Sequence, residues 1–222
     1  MKVIKTATTL AALLFFDCGT AFSQQVGNHL NYYPDARDKL FWPHMYPDGG
    51  ETFYCELPFS GMEVQNAKTA PVNGERKRIW VEHVYASSWI EQAKESACND
   101  AHKGICEGAG DLHNLWPALR STNQRRSNHP FGNIAGESKQ AFPSYCDDFE
   151  FYNEMVEPRD DVKGDVARSI LYMMEAYDLP LPKQMKFSLL MKWHRQDPPD
   201  AHELWRRDAI FGLQGTDNAW LR

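Results

Sequence analysis

The last third of the chain carries a hydrophobic period of three and four residues, which constrains its fold more than any other feature. Val166, Ile170, Met173, Met174 and Tyr177 share one face of a predicted helix, and Met185, Leu189 and Trp193 mark a second. Pro198-Pro199-Asp200 ends that helix and caps a third over residues 201–213. Three amphipathic helices need a common core, so this region is expected to be a packed scaffold.

The middle of the chain combines a strand pattern with two weaker helix patterns. Ile79, Val81, His83 and Tyr85 fall on one side of a predicted strand. Residues 87–97 predict a short helix, and residues 111–123 another, because proline at 117 is tolerated only in a first helical turn. A chain of 222 residues that is 42% hydrophobic can bury one sizeable core. We therefore expect a single α+β domain over residues 24–222.

The N-terminal residues 1–23 have the pattern of a secretory signal peptide. Lys2 and Lys5 precede the apolar stretch 7–16, and Ala21 and Ser23 place small residues where a signal peptidase cleaves. The sequence therefore predicts export to the periplasm or out of the cell. No other segment approaches the roughly 18 to 20 apolar residues of a bilayer span, so no membrane-spanning helix is expected.

Four cysteines remain once Cys18 is removed with the signal peptide: Cys55, Cys98, Cys106 and Cys146. An even number in an exported protein favours two disulfide bonds, for which three connectivities exist. Cys98 and Cys106 are close enough for a local loop, which would leave Cys55 to pair with Cys146. A zinc site is the alternative use, but the Cys-x-x-Cys and His-x-x-x-His spacings typical of zinc are missing.

Formal charge is distributed unevenly along the chain. The net charge is −6, and loss of residues 1–23 removes two lysines and one aspartate to leave −7. Residues 76–129 carry eight basic and six acidic side chains, a net +2, so the remainder carries −9. Two basic clusters, Arg76-Lys77-Arg78 and Arg125-Arg126, belong to this segment. They are either ordinary solvated charges or a local basic groove for a polyanion on an acidic body.

The same segment contains residue types suited to phosphodiester hydrolysis. Glu82-His83 ends the predicted strand, and Asn114 stands at the start of a predicted helix. Glutamate and asparagine provide the oxygen ligands that Mg²⁺ prefers, and a neutral histidine can take a proton from water. The structural alternatives are a half-buried strand histidine, a helix-capping asparagine and a glutamate paired with an arginine. Consecutive strand residues also point to opposite faces, so one shared site requires the strand to end or bend here.

With these residues the sequence resembles the bacterial endonuclease I family of periplasmic and secreted nucleases, in the ββα-metal (His-Me finger) group. The match consists of Thr52-Phe53-Tyr54-Cys55, Glu82-His83-Val84, Asp111-Leu112-His113-Asn114-Leu115-x-Pro117 and Asn123-x-x-Arg126-Ser127-Asn128. Val162-Lys163-Gly164-Asp165-Val166-Ala167-Arg168 and Gln214-Gly215-x-x-Asn218 extend it towards the C-terminus. The resemblance covers residues 30–220, with its motifs in family order.

This resemblance implies a Mg²⁺-dependent endonuclease that cuts DNA, and often RNA, without base specificity and leaves 5′-phosphates. It implies that His83 is the general base and that Glu82 and Asn114 bind the metal, for which Mn²⁺ or Ca²⁺ offers an alternative. Asp111 and His113 would brace the start of the predicted helix and its metal ligand. The expected substrate-binding residues are Arg126, Lys103, Arg78 and Arg125, with Arg126 alternatively stabilising the fold. Binding through the phosphate backbone by a monomer is expected.

The sequence departs from the family in the loop between the two halves of the motif. The family has an arginine there that contacts the cleaved phosphate, whereas residues 98–106 contain only His102 and Lys103 as candidate replacements. Tyr85-Ala86 also replaces the usual Val-Pro. Two other functions therefore remain open: a nucleic-acid-binding module of the same fold with weak or no catalysis, and a disulfide-stabilised envelope protein. The presence of Glu82, His83 and Asn114 favours the enzyme.

Overall fold

A computed structural model describes residues 30–65, 78–94, 98, 106–136, 146 and 148–222. Its strands are β1 (Gly50–Glu51), β2 (Pro58–Ser60), β3 (Glu63–Val64), β4 (Ile79–His83), β5 (Leu115–Leu119), β6 (Glu150–Tyr152) and β7 (Met155–Glu157). Its α-helices are α1 (Tyr33–Asp35), α2 (Ser87–Ala93), α3 (Arg120–Arg126), α4 (Lys163–Tyr177), α5 (Phe187–Gln196) and α6 (Ala201–Gln214). A π-helix, Ala36–Met45, continues α1, and short 3₁₀ turns cover Leu112–Asn114, Asp160–Val162 and Ala219–Leu221.

The architecture is α+β, as the sequence predicts. Strands β1, β2 and β3 form one small antiparallel sheet, while β4–β5 and β6–β7 form two separate antiparallel pairs. Two hydrophobic clusters make up the core: a larger one around α4 and α5, and a smaller one where the π-helix, β4, β5 and α6 meet. No described helix is long and apolar enough to cross a membrane, and the predicted signal peptide lies outside the described residues.

Strands β4 and β5 together with α3 form a ββα unit. Ile79 pairs with Leu119 at one end of the ribbon and His83 with Leu115 at the other. The helix α3 begins directly after β5 and runs back along β4. The Arg120 amide donates to the Arg78 carbonyl at 2.8 Å, and the Asn123 side chain donates to the Val81 carbonyl at 3.0 Å. The side chain of Arg126, at the other end of α3, therefore reaches the carbonyl of His83.

The prediction of one helix over residues 111–123 is wrong. That segment contains a 3₁₀ turn, then β5, and then the start of α3. Pro117 is acceptable in β5 because this strand has a single ladder partner, β4, among the described residues. All five β5 residues are buried, so the strand lacks the apolar–polar alternation that would have identified it.

The three predicted C-terminal helices are confirmed. Helix α4 is buried over ten consecutive residues, from Gly164 to Met173, and α5 packs against it through Leu190 and Trp193. The chain also requires a glycine at 164, since a Cβ there would lie 2.0 Å from the carbonyl oxygen of Asp197. The helical third is the scaffold that the hydrophobic period indicates.

A buried ionic network joins α4 to α6. Arg168 is 1% exposed, and its guanidinium binds both carboxylate oxygens of Glu203, with Nε at 2.8 Å from Oε1. It also donates to Asp165 at 3.0 Å and to the carbonyl of Asp197 at 2.6 Å. Both oxygens of the Glu203 carboxylate therefore have a donor, which is the condition under which a buried ion pair is tolerated.

Two disulfide bonds are present, Cys55–Cys146 and Cys98–Cys106, in agreement with the pairing that the sequence favours. The first bond joins residues 91 positions apart. Its Cys55 sulfur lies 3.4 Å from the Thr122 hydroxyl of α3. The loop between β1 and β2 is thereby fixed against the back of the ββα unit.

Candidate active site

The candidate site lies where β4 ends, and its first element is His83. The imidazole Nε2 is 2.9 Å from the carbonyl oxygen of Ala109. A carbonyl can only accept, so Nε2 carries the proton and Nδ1 retains its lone pair. The ring also packs against Tyr33, with 4.7 Å between ring centroids. One hydrogen bond therefore determines which nitrogen of this half-buried ring can act as a base.

The electrostatic environment keeps His83 neutral. Burial lowers the pKa of its imidazole from 6.5 to about 4, and the charge of Arg126 acts in the same direction. The hydrogen bond to Ala109 opposes this shift but does not outweigh the desolvation. At neutral pH the ring is uncharged, which is the state that can accept a proton.

Glu82 points into the protein on the side of α3. The residue is 2% exposed; its Oε1 accepts a hydrogen bond from the Tyr54 hydroxyl at 2.7 Å and forms an ion pair with Nη1 of Arg126 at 3.1 Å. Burial raises the pKa of the carboxyl group, while Arg126 and the Tyr54 hydroxyl lower it. Tyr54 and Arg126 both contact Oε1, whereas Oε2 has no hydrogen-bond partner among the described residues.

The contacts of Arg126 favour a role in stabilising the fold, the alternative to substrate binding that the sequence left open. The residue is 1% exposed, and it donates to the carbonyls of His83 at 3.0 Å and Val84 at 2.7 Å. Its guanidinium lies over the rings of Trp89 and Phe131, 5.0 and 4.5 Å from their centroids. A phosphate cannot reach a side chain buried in this way, so Arg126 holds the end of β4 in place.

The geometry of Asn114 argues against its predicted role as a metal ligand. The side chain is fully buried, and both ends of its amide are bound to the backbone of Tyr85: Oδ1 accepts from the amide nitrogen at 2.6 Å, and Nδ2 donates to the carbonyl at 3.0 Å. Asn114 thus fastens the chain leaving β4 to the turn before β5.

Asn123 is a candidate functional residue to which the sequence patterns assigned no role. It lies on α3, one turn before Arg126, and its Nδ2 donates to the Val81 carbonyl of β4 at 3.0 Å. The side chain is half-buried, and its Oδ1 has no hydrogen-bond partner among the described residues. The signal was present in the motif Asn123-x-x-Arg126, since residues three apart share a helix face.

A second set of buried side chains braces the turn before β5. Asp111 accepts from the His113 amide at 2.9 Å and from the hydroxyls of Tyr172 and Tyr177 at 2.7 and 2.6 Å. Gln214, at the end of α6, binds the Leu112 amide and the Gly110 carbonyl, both at 2.8 Å. The C-terminal helices therefore hold the turn that carries Asn114, and the Ala109 carbonyl that orients His83 lies just before it.

Comparison with known proteins agrees with these motifs. The family profile described as Endonuclease I matches residues 44–222. The chain belongs to the endonuclease I family. A periplasmic deoxyribonuclease of Aeromonas hydrophila is 31% identical over 195 residues, which cover 80% of this chain and 80% of that protein. Endonuclease-1 of Buchnera aphidicola subsp. Baizongia pistaciae is 28% identical, with 78% and 77% covered.

A ribonuclease is also among the relatives of this endonuclease I chain. The extracellular ribonuclease of Bacillus amyloliquefaciens is 34% identical over 165 residues, which cover 66% of this chain and 52% of that protein. All three relatives are named as nucleases; one is a periplasmic deoxyribonuclease and one an extracellular ribonuclease. This supports a general nuclease function.

The remaining predicted substrate-binding residues of this endonuclease I chain lie at different places. Arg78 is exposed just before β4, five residues from His83, which corresponds to about 17 Å along an extended strand. Arg125 is exposed on α3 with its guanidinium 5.9 Å from the Phe151 ring centroid. Lys103 lies outside the described residues. Arg78 is therefore too far from His83 to contact a phosphate bound beside the His83 imidazole.

The donors near β4 fit a hard divalent cation. No group of three or more His, Cys, Asp or Glu side chains suited to a metal occurs in the described part of the chain. Instead, β4 and α3 offer two oxygen atoms that could ligate a metal, Glu82 Oε2 and Asn123 Oδ1. Neither atom has a hydrogen-bond partner among the described residues. Few protein ligands and several waters are the usual environment of Mg²⁺.

Proposed function

We propose that this chain is an exported, Mg²⁺-dependent endonuclease that hydrolyses phosphodiester bonds of DNA, and of RNA, without reading base sequence. The observation that carries the proposal is the hydrogen bond from His83 Nε2 to Ala109, because it leaves Nδ1 of a neutral imidazole available as a base. The similarity to a deoxyribonuclease and a ribonuclease supports both substrates.

In the proposed mechanism His83 is the general base. Its Nδ1 takes a proton from a water molecule as the water oxygen attacks the phosphorus atom. The bond from phosphorus to the 3′ oxygen breaks, the leaving 3′ oxygen takes a proton from solvent water, and His83 later returns its proton to solvent. The products are a 5′-phosphate and a 3′-hydroxyl. General-base catalysis of this kind contributes about 10²- to 10⁴-fold to a rate.

Glu82 and Asn123 are the proposed metal ligands, and Asn123 takes the role that the sequence had assigned to Asn114. Mg²⁺ would neutralise charge on the phosphate and on the leaving oxygen. Arg126 contributes indirectly, since it pairs with Glu82 and donates to the carbonyls of His83 and Val84. Mn²⁺ or Ca²⁺ accepts the same oxygen donors.

Substrate binding is proposed to use exposed basic side chains around the ββα unit, with Arg78 and Arg125 among them. Contacts to phosphates fix the position of the substrate without reading its sequence. The net negative charge of the whole chain confines this attraction to a local surface. A monomer is sufficient for this arrangement, because all the proposed groups belong to one chain.

Plasmid cleavage tests the proposal directly. Purified oxidised protein is incubated with supercoiled plasmid in the presence of Mg²⁺ or of EDTA, and a His83→Ala variant is assayed in parallel. The control is His44→Ala, which removes an exposed imidazole that precedes β4 by 35 residues in the sequence. We expect metal-dependent nicking that falls by about 10²- to 10⁴-fold in His83→Ala alone. Absence of cleavage with every divalent metal would favour the binding module instead, which retention on a DNA column would then identify.

A further inference from the structure

The hydroxyl of Tyr54 makes a contact that has no role in the mechanism proposed above. Its hydroxyl is buried, and the partner that the structure gives it is Oε1 of Glu82, at 2.7 Å. Arg126 also binds that oxygen, but its Nη1 is shared with the carbonyls of His83 at 3.0 Å and Ser127 at 3.3 Å. Tyr54 is thus the donor dedicated to the Glu82 carboxylate.

The position of this hydroxyl is determined from several sides. The Tyr54 ring stacks on Phe149, with 4.4 Å between centroids and 6° between ring planes. The neighbouring Phe53 donates its amide to the Pro117 carbonyl of β5 at 2.8 Å and stacks on Trp116. Cys55, on the other side, is bonded to Cys146. The loop therefore presents the hydroxyl to Glu82 with little freedom to move.

We propose that Tyr54 is a positioning residue for the metal ligand: its hydroxyl holds Oε1 of Glu82 and so leaves Oε2 as the oxygen available to the divalent cation. The two oxygens of a carboxylate are chemically equivalent, and the last torsion of glutamate is broad and nearly two-fold. The hydrogen bond from Tyr54 and the ion pair with Arg126 both involve Oε1, so they remove that equivalence and orient the group. This inference rests on the proposed metal-dependent nuclease function.

The expected consequence concerns metal affinity more than chemistry. Partners that orient a ligating carboxylate typically contribute about 10- to 100-fold to metal binding or activity. Tyr54→Phe keeps the ring and its stacking on Phe149 but removes the donor. The metal would then have to order a carboxylate that is held by Arg126 alone.

The test is calorimetric titration of the oxidised protein with Mn²⁺ in the absence of nucleic acid. We expect the dissociation constant of Tyr54→Phe to be about 10- to 100-fold higher than that of the wild type. In cleavage assays the half-saturating Mn²⁺ concentration should rise by the same factor, while the rate at saturating Mn²⁺ largely recovers. A general loss of folded protein would lower the rate at every metal concentration and would not shift half-saturation.

Tyr152→Phe is the matched control, because it removes a hydroxyl from a tyrosine that is 58% exposed. Phe149→Leu is a second variant that keeps the Tyr54 hydroxyl but removes the ring that supports it, and its dissociation constant should also rise. Wild-type affinity in Tyr54→Phe, or in Phe149→Leu if the first does not fold, would overturn the inference. A wild-type protein that neither binds Mn²⁺ nor cleaves plasmid would instead overturn the proposed function.

Discussion

The ββα unit and the C-terminal helices each enclose a buried arginine beside a buried glutamate, but the two glutamates are satisfied differently. In the helices, Arg168 binds both oxygens of Glu203. In the ββα unit, Arg126 and Tyr54 both bind Oε1 of Glu82, and Oε2 is left without a hydrogen-bond partner among the described residues. A buried carboxylate with both oxygens paired has no oxygen left for a ligand, whereas one with an unpaired oxygen can still bind one.

The same contrast applies to the polar side chains around each glutamate. The amide of Asn114 has partners at both ends and the carboxylate of Asp111 has three donors. By contrast, Asn123 and His83 each have one polar atom paired and one unpaired among the described residues. Glu82, His83 and Asn123, each with one polar atom unpaired among the described residues, therefore lie near one another along β4.

The largest effect that would separate the two regions is expected from Arg168→Ala. Removal of this guanidinium leaves the buried carboxylates of Glu203 and Asp165 unpaired, which typically costs about 3 to 5 kcal/mol of the free energy of unfolding. Urea denaturation measures this loss, with Lys39→Ala, from an exposed pair with Asp35, as the control. The cleavage rate per folded molecule should stay near that of the wild type. A lower rate with an unchanged free energy of unfolding would contradict the structural role given to Arg168.

A pair of asparagine variants tests the contrast inside the active site. Asn123→Ala should lower the cleavage rate by about 100-fold or more, because loss of a proposed metal ligand should reduce activity at least as much as loss of a group that orients a ligand. Its free energy of unfolding should change little. Asn114→Ala should do the reverse and cost about 1 to 3 kcal/mol, since it leaves the amide and carbonyl of Tyr85 unpaired. Cleavage rates and urea curves measured on both variants decide the matter; an exchange of the two results would return the ligand role to Asn114.

The smallest effect concerns the pH dependence of stability through His113. Burial lowers the pKa of this imidazole, Arg206 acts in the same direction, and Asp111, Asp217 and the hydrogen bond to Thr216 oppose it. As the pH falls below about 6.5 the unfolded chain takes up a proton that the folded protein resists, so the unfolding free energy decreases by up to about 1.4 kcal/mol per pH unit for one group.

Urea denaturation at pH 7.5 and 5.5 measures this dependence on His113. The decrease between these two pH values should be smaller in His113→Gln than in the wild type. His44→Gln, which removes an exposed imidazole, should not change it. His83 adds acid sensitivity of the same sign, because its pKa is lowered to about 4, so some decrease should remain in His113→Gln. Equal slopes in the wild type and His113→Gln would contradict the prediction.

The sequence was informative wherever a local repeat coincided with burial of one face. The helices α5 and α6 were predictable for that reason, and the alternation over residues 79–85 located β4. Helix α4 was predictable from its apolar period, although it is buried on all sides over ten residues. The pattern was uninformative for β5, which is buried on both faces, and for the helical segment of residues 33–45, where a π-helix follows α1 and the period of 3.6 residues is lost.

The sequence by itself determined the family, the α+β class, the position of Glu82 and His83 at a strand end, and the favoured cysteine pairing, since each of these depends on local order along the chain. The tertiary structure alone decided the assignment of polar side chains. Whether Asn114 or Asn123 has a spare oxygen, and whether Arg126 faces solvent or the core, depends on partners 29 to 43 positions away. Hydrogen bonds form between groups that folding brings together, and no local pattern encodes which of two asparagines will be fully paired.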